Sequence, residues 1–263
     1  MYSLSIDLKL MPLWRVLILL PLLLLSSCVY RPLFSFGGPS HQVDIKTQVA
    51  QARAEHPELL PPPSVTAVKL PAPRLEMTPE VKRELVNMDR GQLVPASLER
   101  GADHLPIMQE ILLDEGIPVE LANLALIESG FNSEARSHAG AVGLWQLMAP
   151  TAKLYGLKVN LFEDQRKDPI LSTLAAARHL RDLYQNYNDW NLVLAAYNAG
   201  SGTLNRAIST SGSSDYWALA RTGRLNTETA RFVPRFIASC LLSKDGDTRI
   251  LTASAADRRN SIG

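Results

Sequence analysis

Between Asp168 and Tyr187 apolar residues return every three or four positions, at Ile170, Leu174, Ala177, Leu180 and Tyr184, while Arg178, Arg181 and Asp182 fall on the other side. That spacing lays one apolar stripe along an α-helix and none along a strand. Asp168-Pro169 supports the reading, because an acid at the N-cap and proline at the first helical position favour a helix start. Trp190 to Ala199 is nearly apolar all round through Leu192, Val193, Leu194, Ala195 and Ala196, which predicts a helix buried on most faces. Helical patterns also run over Glu80 to Met88, Leu105 to Leu113, Val119 to Glu128, Leu144 to Tyr155, Thr203 to Ile208 and Thr227 to Leu242. No run reads as a strand and no internal repeat appears, so the expected fold is all-α.

A chain of 263 residues, 46% of them hydrophobic, has room for one sizeable core with segments outside it. The net charge is +1 and no basic stripe is present, which argues against nucleic acid as a partner, since phosphate binding draws on concentrated Lys and Arg. Cys28 and Cys240 lie too far apart in sequence and context to suggest a disulfide framework, and Cys240 reads as a small core hydrophobe.

The N-terminus carries an address. Lys9 and Arg15 precede Val16 to Leu25, an apolar run broken by Pro21 and too short to cross a bilayer as a helix, which is the form of a secretory signal. Met11 to Cys28 forms a complete signal by itself, so either Met1 or Met11 can be the start. Leu25-Ser26-Ser27-Cys28 resembles the bacterial lipobox, which implies removal of residues 1–27 and lipidation of Cys28. Val29 after the lipidated cysteine resembles the pattern sorted to the outer membrane in Gram-negative cells, facing the periplasm. From Val29 to Met77 the chain is rich in proline and has no sustained apolar period, so residues 28–77 are expected to form a solvated tether. Thr78-Pro79-Glu80 then opens a small helix, making residues 78–97 a helical extension before a main domain over 98–242. Residues 243–263 turn polar and read as a tail.

One carboxylate stands out. Val119 to Ile127 has no polar member after Glu120 except Asn123, and it delivers Glu128 at its end. Burial disfavours an ionised carboxylate and raises its pKa, which suits a general acid near neutral pH.

Three motifs give this residue a context: Glu128-Ser129, then Gly143-Leu144-Trp145-Gln146-Leu147-Met148, then Ala195-Ala196-Tyr197-Asn198-Ala199-Gly200. Ser137 lies nine residues and Gln146 18 residues after Glu128. Their order and spacing resemble the lytic transglycosylases with a soluble-transglycosylase (SLT) type catalytic domain, nearest to the membrane-bound lytic murein transglycosylase D type. The resemblance covers about Leu98 to Leu242 and implies a lysozyme-like all-α domain that cleaves peptidoglycan glycan strands. It implies that Glu128 protonates the oxygen between N-acetylmuramic acid and N-acetylglucosamine. As carboxylate, Glu128 then takes the proton of the muramoyl 6-hydroxyl, which attacks C1 and closes a 1,6-anhydro ring. Ser137, Gln146, Met148, Tyr197 and Asn198 are implied as substrate-binding residues, with the Tyr197 hydroxyl bonding Glu128 or a substrate oxygen; read without the motif, Tyr197 is a core tyrosine bonding backbone. Trp145 reads rather as core. Gly140 and Gly143 allow a tight turn and close backbone approach to a ligand.

Two other readings stay open from the sequence. A goose-type lysozyme-like hydrolase would need a second carboxylate, for which Glu134, Glu163, Asp164 and Asp168 are available. A non-catalytic glycan-binding scaffold would keep the fold alone. Glu228-Thr229-Ala230-Arg231-Phe232-Val233-Pro234 resembles the family's fourth motif, but Phe232 stands where a tyrosine usually offers its hydroxyl to the catalytic glutamate. His138 and His179 lack partners at ligand spacing, so neither metal nor other cofactor is expected. The implied partners are peptidoglycan strands, the membrane through the lipid, and cell-wall-remodelling proteins.

Overall fold

The computed structural model describes residues 39–57, 68–90 and 93–260. The signal segment, Cys28 and the start of the expected tether lie outside the described residues. Eleven α-helices occur among them: α1 (Pro39–Glu55), α2 (Pro79–Arg90), α3 (Leu93–Gly101), α4 (Leu105–Asp114), α5 (Asn123–Ser129), α6 (Ala149–Leu154), α7 (Pro169–Tyr187), α8 (Trp190–Ala199), α9 (Ser201–Ser211), α10 (Tyr216–Arg221) and α11 (Thr227–Asn260). Among the described residues β-structure is limited to isolated bridges. None of the described helices is long and apolar enough to cross a membrane.

The central pair is the one the periodicity predicts. Asp168 caps α7 by accepting from the amides of Ile170 and Leu171, and Asp189 does the same for α8 through Asn191 and Leu192. The stripe of α7 widens to a fully buried run from Leu171 to Ala177, and α8 is buried from Leu192 to Ala196. Small alanines on both let the two helices approach, with α4 packed on α7, α11 on α8, and α5 on α11. Cys240 is buried on α11, as its apolar neighbours suggest.

α11 runs through Pro234, which has no amide proton to give the Ala230 carbonyl four residues back. The buried Tyr216 of α10 supplies the missing donor: its hydroxyl donates to the Ala230 oxygen at 2.9 Å. A helix break that proline would otherwise favour is thereby bridged by a side chain.

The structure corrects the sequence reading in five places. Residues 39–55 are helix rather than tether, because Val49 and Ala52 pack on the core next to the buried Ile45, and Arg53 pairs with Asp114 of α4 at 2.7 Å. Residues 68–77 are extended but strapped down: the Leu70 amide donates to the Gly116 carbonyl at 2.9 Å, and the Trp190 indole donates to the Pro71 carbonyl at 2.6 Å. Leu144 to Met148 is a turn, and α6 begins only at Ala149, because Pro150 sets a helix start there. Beyond Leu242 the chain continues as helix to Asn260 instead of a tail. Val119–Ala122 is also a 3₁₀ turn leading into α5 rather than part of it.

Candidate active site

Glu128 stands in the last turn of α5, whose Leu124, Ala125 and Leu126 are anchored in the core. Gly130 ends the helix in the left-handed region at φ 61°, so the chain turns away immediately after the acid. Burial pushes the Glu128 carboxyl up to about 8; the nearby Glu228 charge adds to the rise and Arg235 opposes it. None of the described residues donates a hydrogen bond to this carboxyl. It is therefore an acid that keeps its proton at neutral pH and has it free for a ligand.

The loop facing it is built by backbone constraint. Ser129 Oγ sits 3.0 Å from the Ala125 carbonyl and 2.9 Å from that of Leu144, tying the end of α5 to the loop. Ser137 closes the turn, its Oγ accepting from the Ala141 amide at 3.0 Å, which leaves its own proton to donate. The buried Arg166 clamps the far side, donating to the carbonyls of Gly140 at 2.9 Å and Leu147 at 3.1 Å while Asp164 holds it bidentately. At Gly143, with φ 86°, a Cβ would lie 1.9 Å from the Arg166 carbonyl oxygen. What approaches Gly143 closely is thus the protein's own backbone, not a ligand.

Gln146 occupies the left-handed region at φ 48°. Its amide nitrogen donates to the carbonyls of Gly143 at 2.9 Å and Ala135 at 3.3 Å, which leaves the side-chain oxygen as the group free to accept. Met148 is 42% exposed and offers apolar surface beside it. Trp145 is fully buried, its indole donating to Thr173 Oγ1 at 2.9 Å, in keeping with the core reading.

Tyr197 makes the backbone bond of a core tyrosine. Its hydroxyl donates to the Trp145 carbonyl at 2.7 Å rather than to Glu128. Burial and the neighbouring Glu128 charge both keep the phenol protonated. Asn198 is held at both ends by α11, accepting from Thr229 Oγ1 at 2.8 Å and donating to Glu228 at 3.3 Å.

The four carboxylates weighed from sequence all have structural work. Glu134 pairs with Lys167, Glu163 accepts from Gln165 at 2.8 Å, Asp164 holds Arg166 and Asp168 caps α7. The charges that act on Glu128 are instead Glu228 and Arg235, seven residues apart on α11, with the buried Phe232 on the same face between them. Sequence reasoning named Glu228 only as part of the fourth motif and missed Arg235. The implied place of Phe232 beside the glutamate was the available signal, since residues four before and three after it share its helix face.

Residues 108–220 match the family model for the transglycosylase SLT domain. The matched stretch resembles that domain. It holds Glu128, the Gly143–Met148 loop and Tyr197, whereas α11 lies beyond it. The membrane-bound lytic murein transglycosylase D of Escherichia coli is 39% identical over 127 residues, covering 46% of this chain and 27% of that protein. A protein of an Alteromonas species named for tributyltin chloride resistance is 44% identical over 94 residues, covering 35% of this chain and 45% of its own length. The chain thus spans less than half the length of either of these curated relatives. Among solved structures, the 70 kDa soluble lytic transglycosylase of Escherichia coli aligns over 76% of this chain and 42% of that one, at 18% identity and a TM-score of 0.42.

Proposed function

We propose that this chain is a peptidoglycan lytic transglycosylase in which Glu128 serves in turn as acid and base. The observation that carries the reading is an acid within the stretch matching the SLT domain, raised to about 8 by burial, followed by a loop that leaves the Gln146 side-chain oxygen free to accept and Met148 exposed. A protonated Glu128 gives its proton to the departing glycosidic oxygen. The resulting carboxylate then removes the proton of the muramoyl 6-hydroxyl, which closes onto C1 and leaves an anhydro end. Ser137 and Gln146 hydrogen-bond sugar hydroxyl or acetamido groups, Met148 packs on the sugar, and Tyr197 and Asn198 hold the cleft walls in register. No metal or cofactor enters this scheme. Lipidation at Cys28 belongs to the same reading and would hold the domain at the outer membrane, facing the peptidoglycan.

Glu228 favours one other reading, a hydrolase with two carboxylates, because its charge acts on Glu128. Digestion of purified peptidoglycan followed by mass analysis of the products separates them. Anhydro ends support the transglycosylase, reducing ends the hydrolase, and no release a scaffold.

A further inference from the structure

Behind Tyr197 lies a cluster that neither the motifs nor the proposed chemistry uses. His179 of α7 packs its ring between Tyr155 and Tyr197, with centroids 5.5 Å from each. Tyr155, in the turn after α6, places its hydroxyl 2.8 Å from Asp182 Oδ2 and 3.2 Å from His179 Nδ1. A phenol has one proton. The carboxylate can only accept, so that proton goes to Asp182, and the Tyr155 oxygen must accept from His179 Nδ1–H. This fixes the neutral imidazole in the Nδ1–H form, and burial, which lowers the His179 pKa, keeps it uncharged against the opposing pull of Asp182.

The contacts then run in one direction. The fixed His179 ring sets the plane of Tyr197, the Tyr197 hydroxyl holds the Trp145 carbonyl at 2.7 Å, and the next residue is Gln146 in its left-handed conformation at φ 48°. A non-glycine residue there is held by its surroundings rather than by its own preference. Gln146 has its own side-chain bonds to Gly143 and Ala135, but the peptide preceding it is pinned by Tyr197.

We propose that Asp182, Tyr155 and His179 form a positioning relay that orients Tyr197 and, through the Trp145 carbonyl, sets the Gln146 side chain for substrate binding. The role of Gln146 rests on the transglycosylase reading; the relay's hydrogen-bond order does not. The three residues touch no reacting atom, so they act on binding more than on the chemical step.

The test uses the full chain in detergent, with Tyr155→Phe and Asp182→Asn, which keep ring and side-chain volume, and His179→Asn, which retains a donor near the Nδ1 position. Long-range proton–nitrogen NMR of the imidazole, assigned by the signal lost in His179→Asn, is expected to show Nδ1–H in the wild type and a shift toward Nε2–H in Tyr155→Phe. Release of glycan fragments from purified peptidoglycan is expected to show KM raised roughly two- to thirtyfold in Tyr155→Phe and Asp182→Asn, with kcat changed far less, and partial rescue in His179→Asn relative to His179→Ala. An Nε2–H imidazole in the wild type, or a pattern unchanged in Tyr155→Phe, overturns the relay. The expected NMR pattern with KM unchanged overturns its positioning role. A wild type that releases no glycan while the NMR pattern holds overturns the transglycosylase reading and leaves the hydrogen-bond order standing.

Discussion

The Tyr197 hydroxyl donates to the Trp145 carbonyl at 2.7 Å and so is not spent on Glu128. With phenylalanine at position 232 the acid receives no hydrogen bond from either aromatic ring, and its proton is held by burial and by the balance between Glu228 and Arg235.

That balance predicts the pH profile. A Glu128 carboxyl held near 8 is protonated through neutral pH, so glycan release is expected to fall as pH rises through about 8. Arg235→Gln removes the charge that lowers this pKa and moves the alkaline limb to higher pH, while Glu228→Gln moves it to lower pH. A limb near the ordinary carboxylate range in the wild type would refute the assignment.

Glu128→Gln is expected to abolish release and to stabilise the fold. With the folded pKa raised from 4.5 to about 8, the unfolded chain loses the proton first as pH rises through 4.5, and stability drains away until the folded pKa is reached. The glutamine variant escapes this cost, with an expected gain of about 1–3 kcal/mol at pH 7 that vanishes below pH 4.5. Denaturant melts of both proteins at pH 4 and pH 7 measure it; equal differences at the two pH values would show that Glu128 is not a buried acid.

Phe232→Tyr is expected to keep or raise activity. Phe232 is buried on the face of α11 that carries Glu228 and Arg235, so a hydroxyl there supplies the donor that Tyr197 does not. Bonding the ionised form lowers the Glu128 pKa, and the alkaline limb should shift down. A large fall in anhydromuropeptide release would count against this placement of α11.

Gly143→Ala tests the loop. The added carbon meets the Arg166 carbonyl at 1.9 Å, with φ at 86°, and neither backbone can yield without disturbing the Arg166 clamp. A loss of about 3 kcal/mol or more is expected in a urea melt. A variant as stable as the wild type would mean that the 143–166 approach is not tight in solution.

Much of this molecule was legible from one dimension. The stripe of α7, the apolar body of α8, the caps at Asp168 and the buried Trp145 follow from period and composition, because helix patterning and capping are local properties. α1 escaped notice because Ile45, Val49 and Ala52 make too thin a stripe over 17 residues to read. Pro71 and Leu70 escaped because their anchors, Trp190 and Gly116, are distant in the chain.

The sequence by itself determined an all-α chain and singled out Glu128, since local periodicity and ordered motifs survive in a string of letters. Only the tertiary structure decided what surrounds that acid: that Tyr197 turns to Trp145, that Asn198 serves α11, and that burial raises its proton affinity while Arg235 and Glu228 pull in opposite directions. Those outcomes depend on how α5, α8 and α11 are rotated about their axes, and electrostatic coupling follows distance in space rather than separation along the chain.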